Sequence, residues 1–408
     1  IDYSMQNFIY ADNHNLNQTI HCLHGALQAS IVPDWFGLEG SAGYSQLVAD
    51  PREAVNVDNI FATSNIADAL SASMTPILRH QFGQTLLNAR YTYSRIDFSG
   101  KVINPVQLDN SKAQTVEAHY GVTDQNSGFF WQFDYLQDRI DYDTSLPYRY
   151  ELAGARVGVG IGGSWHVIAD GGGESDLERS SIAGGLGSSY WRGGLRWNPD
   201  ERNLLEVTAG RRFFGNTYGL IWNRRARLFD VSVTYDEAPF TESLRIARTP
   251  QTPGEPPPPG IDIGRITPEA AVGKMLEGRL RLLGRRNEIA LRVYGRETDF
   301  ITRQDRDRYR GVGLDYRRRL SARTTAMLSA ASTRSDLREG GRATDKLVRL
   351  RFSRELSRNL SGRLEAGYLA RQGEQIEDYH AAFATIGIVK SFGVRAAELE
   401  GGGIERGQ

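Results

Sequence analysis

Apolar and polar residues alternate at every second position along most of the chain. Phe129, Trp131 and Phe133 fall on one face of an extended segment, whereas Gln132 and Asp134 fall on the other. The same pattern recurs at 229–235, 276–282, 348–353 and 364–368. Because successive side chains of a strand point to opposite faces, each segment predicts a β-strand with one apolar and one polar or charged face.

The predicted strands number about twenty (roughly 18–22), each about 9–14 residues long, which is enough for a tilted strand to cross a bilayer. Their connections alternate between two lengths. Short turns are predicted at 32–34, 82–84, 198–203, 283–287, 320–323 and 357–359. Long polar connections are predicted at 48–65, 97–111, 138–146, 170–187, 239–271, 298–308 and 336–344. Short periplasmic turns alternating with long extracellular loops are typical of outer-membrane barrels.

The pattern therefore predicts an all-β fold, a single antiparallel transmembrane β-barrel over residues 1–392, in the outer membrane of a Gram-negative bacterium. Residues 238–272 form a long proline-rich loop that either projects outward or folds into the barrel. Residues 393–408 form a flexible polar tail. A soluble sandwich or propeller would show strands of about 5–6 residues or a fixed repeat, and the sequence has neither feature.

Composition narrows the function classes. The 408 residues include 49 Lys and Arg, 49 Asp and Glu, and one Cys. This balance argues against a nucleic-acid partner, and the single Cys excludes a disulfide scaffold. Residues 1–200 contain 12 basic and 22 acidic residues, and residues 201–408 contain 37 and 27. The two halves thus carry opposite net charges of −10 and +10.

Arginine accounts for most of the positive charge in the second half. Eight arginines fall on the polar faces of successive predicted strands, where they would line a barrel lumen: Arg279, Arg281, Arg292, Arg296, Arg317, Arg349, Arg351 and Arg363. Such a stripe could guide an anionic solute or polymer. Alternatively, these arginines pair across the lumen with Glu277, Asp315, Glu365 and acidic residues of the first half.

Aromatic residues cluster near predicted strand ends, where amphipathic rings suit the lipid headgroup level. The predicted girdle consists of Trp35, Tyr148, Trp191, Trp197 and Trp222.

The candidate catalytic and ligand-binding motifs are weak. Gly158, Gly160 and Gly163 spell GxGxxG, but the following residues alternate, which indicates a turn between two strands rather than a dinucleotide site. Cys22 and His24 would share one strand face, with His21 on the other, so the three do not converge on a metal. No catalytic, cofactor-binding or metal-binding residue is predicted, and no enzymatic activity is expected.

Several stretches resemble a known family. Residues 3–11 (YSMQNFIYA), 31–46 (IVPDWFGLEGSAGYSQ), 76–83 (PILRHQFG) and 191–237 are similar to outer-membrane β-barrel proteins associated with PEP-CTERM/exosortase systems. The resemblance implies an outer-membrane location beside exopolysaccharide synthesis and protein-sorting machinery, without catalytic residues. It also implies that the N-terminus is truncated, so that a signal peptide and up to two strands precede Ile1.

Three functions follow as hypotheses. The leading one is a pore or export conduit for exopolysaccharide or another anionic polymer, with membrane lipid and export machinery as partners and no cofactor. The second is a plugged scaffold whose loops bind surface polymer or partner proteins. The third is a barrel hydrolase, which would need Ser, His and an acid to converge at one rim. The oligomeric state stays open.

Overall fold

The computed structural model describes residues 2–8, 18–48, 66–99, 108–177, 185–248, 267–301, 305–337, 341–374 and 378–391. Within these ranges, twenty strands form one antiparallel sheet, accompanied by a short helix, α1 (Glu242–Arg248). The strands are β1 (Asp2–Phe8), β2 (Gln18–Val32), β3 (Phe36–Val48), β4 (Ile66–Phe82), β5 (Thr85–Ser99), β6 (Ser111–Val122), β7 (Phe129–Tyr142), β8 (Tyr148–Gly162), β9 (Trp165–Glu174), β10 (Ser188–Asp200), β11 (Asn203–Arg212), β12 (Gly215–Arg225), β13 (Phe229–Phe240), β14 (Ala271–Leu283), β15 (Asn287–Phe300), β16 (Arg306–Ser321), β17 (Thr324–Leu337), β18 (Gly341–Ser357), β19 (Leu360–Gly373) and β20 (Tyr379–Ser391).

Each strand pairs with its neighbours in the chain, from β1 with β2 through to β19 with β20. The first and last strands also meet, through Asp2 opposite Ser391 and Tyr3 opposite Lys390. This ladder of two residue pairs is the shortest in the described sheet, and it forms the seam of the barrel. The predicted fold class and strand number are therefore confirmed: the protein is a single antiparallel β-barrel.

The connections sort to the two ends of the barrel largely as predicted. All six predicted short turns occur at one end, which we call the short-turn end, and β1 begins and β20 ends there. Two connections depart most clearly from the alternation. Residues 213–214 form a two-residue turn at the opposite, long-loop end, and residues 123–128 form a six-residue turn at the short-turn end.

Several strands extend further towards the long-loop end than the sequence predicts. The connection expected at 298–308 shrinks to 301–305, because β15 continues to Phe300 and β16 begins at Arg306. Charged side chains pair across these extensions: the Lys274 ammonium lies 3.0 Å from the carboxylates of both Glu297 and Asp299. Cross-strand ion pairs allow polar residues to continue a strand beyond its apolar band, where hydropathy alone indicates a loop.

The polarity of the two faces of the barrel wall is the reverse of that in a soluble protein: the exposed face is apolar and the buried face is charged. On β18, the side chains of Val348 and Leu350 are 49% and 41% exposed, whereas Arg349 and Arg351 are 6% and 8% exposed. Apolar residues therefore face outward, and charged residues face the barrel interior. Within the described residues, no helix is long and apolar enough to cross a membrane.

The interior also contains apolar packing at the long-loop end. Inward side chains of β6, β7 and β8 form a cluster with Leu177 and with Leu244 of α1; its members on the strands are Ala113, Ile140, Tyr142, Tyr148 and Tyr150. A second cluster joins Ile246 of α1 to Ile96 of β5. The 238–272 segment was predicted to be a long proline-rich loop that projects outward or folds into the barrel; its described part contains α1, which lies inside the barrel.

Glycines allow two special features of the β8–β9 hairpin. A Cβ added at Gly158 would lie 2.1 Å from the ring of Phe130, its partner on β7, so only glycine lets this ring lie flat over β8 on the interior face. Gly163 has a φ of 59° and lies in the turn itself. The GxGxxG motif thus spans the end of one strand and a turn leading into the next, as its sequence context predicts. The predicted tail at 393–408 and most of the 238–272 loop lie outside the described residues.

Candidate functional site: the charged barrel interior

The strand register determines which residues share the interior. Arg279 of β14 lies opposite Arg292 of β15, and Arg351 of β18 lies opposite Glu365 of β19. Following the register from strand to strand assigns the interior face to all eight arginines named from the sequence: Arg279, Arg281, Arg292, Arg296, Arg317, Arg349, Arg351 and Arg363. The charged faces of successive strands therefore form one surface.

Most of these arginines contact carboxylates. The Arg351 Nε donates to Glu365 Oε2 at 2.6 Å, and the Arg349 guanidinium lies 3.6 Å from the other carboxylate oxygen. Arg292 pairs with Asp315 in the same way on β15 and β16. Because Glu365 is only 5% exposed, its two arginines compensate a charge that water reaches poorly.

The ion pairs join neighbouring strands rather than opposite walls. Arg281 donates to Glu288 at 3.0 Å, and its second guanidinium nitrogen lies 3.8 Å from Asp230. Glu277, a predicted partner, forms no ion pair within the described part of the chain. Arg279 and Arg317 also have no ion-pair partner among the described residues. These two arginines are the uncompensated cations of the predicted stripe.

Arg296 connects the wall to α1. Its guanidinium pairs with Glu242, the first residue of α1, and Arg245 one turn later pairs with the same carboxylate at 2.5 Å. Burial alone would raise the pKa of the Glu242 carboxyl, but the two guanidinium groups outweigh it and hold the pKa below its ordinary value of 4.5. Glu242 therefore remains a carboxylate at neutral pH and ties α1 to β15.

The opposite side of α1 reaches the far wall. Leu244 and Ile246 are 4% and 6% exposed and pack against the inward residues of β5 to β8 described above. In a ring of twenty strands, β5 lies ten positions from β15, so these contacts are on opposite sides of the barrel. The helix therefore crosses the interior at its long-loop end.

The local sequence explains why a helix begins here. The Thr241 hydroxyl accepts a hydrogen bond from the Leu244 amide at 3.3 Å, which is the geometry of an N-cap. Glu242 in the first turn complements the helix dipole. A Thr followed by Glu after the strand end was a usable helix signal, but the prolines further along the segment obscured it.

A second buried network was missed by the sequence analysis. The Arg212 guanidinium donates to Glu174 at 2.8 Å and to the Tyr150 hydroxyl at 2.6 Å, and that hydroxyl donates to Glu174 at 3.1 Å. Another Arg212 nitrogen donates to the carbonyl oxygen of Glu237 at 3.0 Å. Alternation along β8, β9 and β11 places these three side chains on the inward face, but their strands lie apart in the sequence, so alternation alone does not reveal that they meet.

The residues of the predicted aromatic girdle lie at both ends of the barrel, and one of them faces the interior. Trp35, Trp197 and Trp222 lie near the short-turn end, and Trp191 lies near the long-loop end with 60% of its side chain exposed. Tyr148 is a correction: it is 4% exposed and points into the apolar interior cluster. Its position in the alternation of β8 gives it the inward face, so proximity to a strand end was misleading.

The interior offers limited support for catalysis or metal binding. His119 contacts Asp134 at 2.6 Å, and no hydroxyl is hydrogen-bonded to either of them among the described residues. No group of three or more His, Cys, Asp or Glu residues suited to a metal occurs in the described ranges. The absence of enzymatic activity stays a prediction.

Comparisons with known proteins return barrels of low similarity. No protein-family profile matches the chain, and no curated protein matches it. A BenF-like porin from Pseudomonas fluorescens has 11% identity and a TM-score of 0.41, over 89% of this chain and 99% of the porin. The ferric enterobactin receptor of Pseudomonas aeruginosa has 10% identity and a TM-score of 0.42, over 96% and 80%. A bacterial polysaccharide outer-membrane secretin has 10% identity and a TM-score of 0.35, over 88% and 99%.

Proposed function

We propose that the protein is an outer-membrane pore with a charged interior, and that α1 narrows the pore at its long-loop end. The support comes from the wall and from α1 together. The wall has an apolar exterior and a charged interior, and α1 is fixed to both sides of that interior.

The membrane location rests on the inverted faces of the strands. Exposed apolar side chains recur on strand after strand around the barrel, for example Leu27, Leu195 and Leu364. In water this surface would be unfavourable, whereas in lipid it is the expected exterior of a closed set of strands. Outer-membrane barrels have short periplasmic turns and long extracellular loops, so the short-turn end would face the periplasm and the long-loop end would face outward.

The observation that carries the proposal of a pore narrowed by α1 is the attachment of this helix to both sides of the barrel. Glu242 is bound to Arg296 on one wall, while Leu244 and Ile246 pack on the other. Releasing both contacts should free the helix without changing the wall.

Unitary conductance in a planar bilayer tests the proposal. We expect a small conductance for the natural chain and an increase of several-fold for the double variant Glu242→Gln/Leu244→Gln. Glu277→Gln is the matched control, because it removes an interior carboxylate that contacts neither α1 nor an arginine in the described structure. A barrel that inserts yet remains silent in all three forms would contradict a pore.

The plugged scaffold is the second candidate, and the same helix favours it. If α1 and the adjoining loop fill the interior completely, the loops themselves become the functional surface. A silent natural chain whose loops retain an extracellular polymer in a pull-down would support this function over the pore.

For the cargo, we propose an anionic polymer such as an exopolysaccharide. The support is the resemblance of residues 3–11, 31–46, 76–83 and 191–237 to the exosortase-associated barrels, together with the uncompensated Arg279 and Arg317. Anionic oligosaccharides added to one side of the bilayer should block the current at lower concentration than neutral ones of equal length. Equal block by both would contradict an anionic cargo.

A further inference from the structure

Three cations lie together on the outward face of β16, β17 and β18. Arg310 of β16 is directly opposite Arg334 of β17 in the register. Lys346 of β18 is opposite Ser332, which places it diagonally next to Arg334. All three side chains are exposed. We call Arg310, Arg334 and Lys346 the outer cation patch.

Like charges that face each other across two strands repel, so such a pair normally has a compensating group. Elsewhere on the barrel this group is present. Arg139 and Arg149 are also directly opposite each other, on β7 and β8, and both guanidinium groups lie 3.1 Å from Asp141. At this pair, one carboxylate thus neutralises both of the opposed arginines.

The cations beside the patch are neutralised too. Arg308 pairs with Glu297 at 2.8 Å, and Arg306 pairs with Asp299. Asp336 is the outward carboxylate nearest in register, and the atom it approaches is the Arg342 Nε, at 3.8 Å. None of the three patch residues has an ion pair within the described chain. These three charges therefore have no counter-charge among the described residues and can bind a group from outside the protein.

The position of the patch indicates what that group is. The next outward residues towards the short-turn end are Val312 after Arg310 and Val348 after Lys346, which are 44% and 49% exposed. The patch therefore lies at the border of the apolar band, on the long-loop side. If that side faces outward, as the proposed function requires, this border is the headgroup level of the outer leaflet.

We infer that the outer cation patch binds the phosphate group of an anionic lipid in the outer leaflet. Two guanidinium forks can hold phosphate oxygens through paired hydrogen bonds, and the ammonium group adds a point charge. The acyl chains of the same lipid would lie along the apolar strand faces below, around Leu314 and Leu350. A phosphate attached to acyl chains satisfies both parts of this surface, whereas free phosphate satisfies one.

The test reconstitutes the full chain in vesicles of zwitterionic lipid containing a small fraction of phosphorylated lipid A, and measures lipid retained on the protein by native mass spectrometry. A parallel series uses dephosphorylated lipid A. We expect the natural chain to retain the phosphorylated lipid about tenfold more than the dephosphorylated one. The triple variant Arg310→Gln/Arg334→Gln/Lys346→Gln should lose this preference.

The double variant Arg306→Gln/Arg308→Gln is the matched control, because it removes two nearby outward cations that already have carboxylate partners. It should keep the preference to within about twofold. Equal loss in both variants would reduce the effect to general surface charge and overturn a specific site. Full competition by millimolar inorganic phosphate would also overturn the lipid assignment in favour of a free-anion site.

The lipid site requires that the barrel lies in a membrane, and different results would contradict the lipid site and the membrane barrel. Failure of the chain to float with the vesicles would overturn the membrane barrel and the lipid site together. Flotation without lipid preference would overturn the lipid site alone. Lipid retention does not require conductance, so a silent barrel can still confirm the patch.

Discussion

At the scale of single residues, the interior is organised by carboxylates that each hold one or two arginines. Glu365 is the clearest case, because Arg349 and Arg351 approach its two oxygens from one neighbouring strand. A buried charge that loses its partner costs far more free energy than the pair itself contributes. The partner carboxylates therefore have more influence on stability than the number of arginines suggests.

Replacing Glu365 by Gln should destabilise the barrel by about 3–5 kcal/mol, because two buried guanidinium groups would lose their counter-charge. Urea unfolding in lipid vesicles, followed by tryptophan fluorescence, measures the change. Arg279→Gln is the control, since this exposed arginine has no ion pair among the described residues, and it should change the free energy of unfolding by less than about 0.5 kcal/mol. Equal effects of the two substitutions would contradict the role given to Glu365.

The sequence predicted the inward face of the arginines but only some of their partners. Strand alternation decides which side of the wall a residue faces, so Arg349 and Arg351 could be assigned without a structure. Asp315 and Glu365 were also named in advance and do form ion pairs. The partner of Arg296 could not be named, because Glu242 belongs to a helix that hydropathy alternation does not reveal.

At the scale of elements, wall strands and α1 are packed by different rules. The strands follow the alternation that a barrel wall with an apolar exterior and a polar interior requires, and the sequence predicted them well. The helix depends on tertiary contacts with both walls, because seven residues are too few for a stable isolated helix. This difference explains why the strands were predicted and α1 was not.

The β8–β9 hairpin depends on the close packing of Phe130 over Gly158. Gly158→Ala should destabilise the barrel by about 1–3 kcal/mol, since the new methyl group would overlap the ring. Vesicle-based urea unfolding measures this change as well. Gly128→Ala is the control, because an added Cβ meets no atom within 4 Å there. If the natural chain and Gly158→Ala unfold at the same urea concentration, the ring does not depend on the glycine.

The attachment of α1 should depend on pH in a defined direction. The pKa of Glu242 is held below 4.5 by Arg296 and Arg245, although burial opposes this. The carboxylate contact is therefore present at neutral pH and is lost only as the pH falls through this lowered pKa. We expect unchanged conductance between pH 8 and about 5 and an increase only in more acidic solution. The variant Glu242→Gln lacks this carboxylate, so at pH 7 it should already have the conductance that the natural chain reaches only in acid. An increase in the conductance of the natural chain near pH 6 would contradict the assignment.

At the scale of the whole molecule, charge is balanced locally. The opposite net charges of the two halves suggested ion pairs across the lumen. Instead, five arginines of the stripe pair with second-half carboxylates, on adjacent strands or on α1: Arg281, Arg292, Arg296, Arg349 and Arg351. Arg212 does pair with a first-half carboxylate, Glu174, but that residue is only two strands away. Residues paired across two strands are about 5 Å apart, whereas side chains of opposite walls in a twenty-stranded barrel must span a much wider gap. The interior therefore keeps regions of unbalanced charge where the local carboxylates are too few.

Ion preference should follow from those unbalanced regions rather than from the complete arginine stripe. Arg281, Arg349 and Arg351 of the predicted stripe already have carboxylate partners, so replacing them would also release a carboxylate. We expect Arg279→Gln/Arg317→Gln to lower the chloride-to-potassium permeability ratio by about twofold or more, because it removes two interior charges without releasing a carboxylate. Reversal potentials in a salt gradient measure this ratio.

Arg318→Gln is the control, since the side chain of Arg318 is on the outward face of the same strand as Arg317 and its replacement should leave the ratio unchanged. A double variant with the natural ratio would show that these two charges do not set the selectivity of the pore.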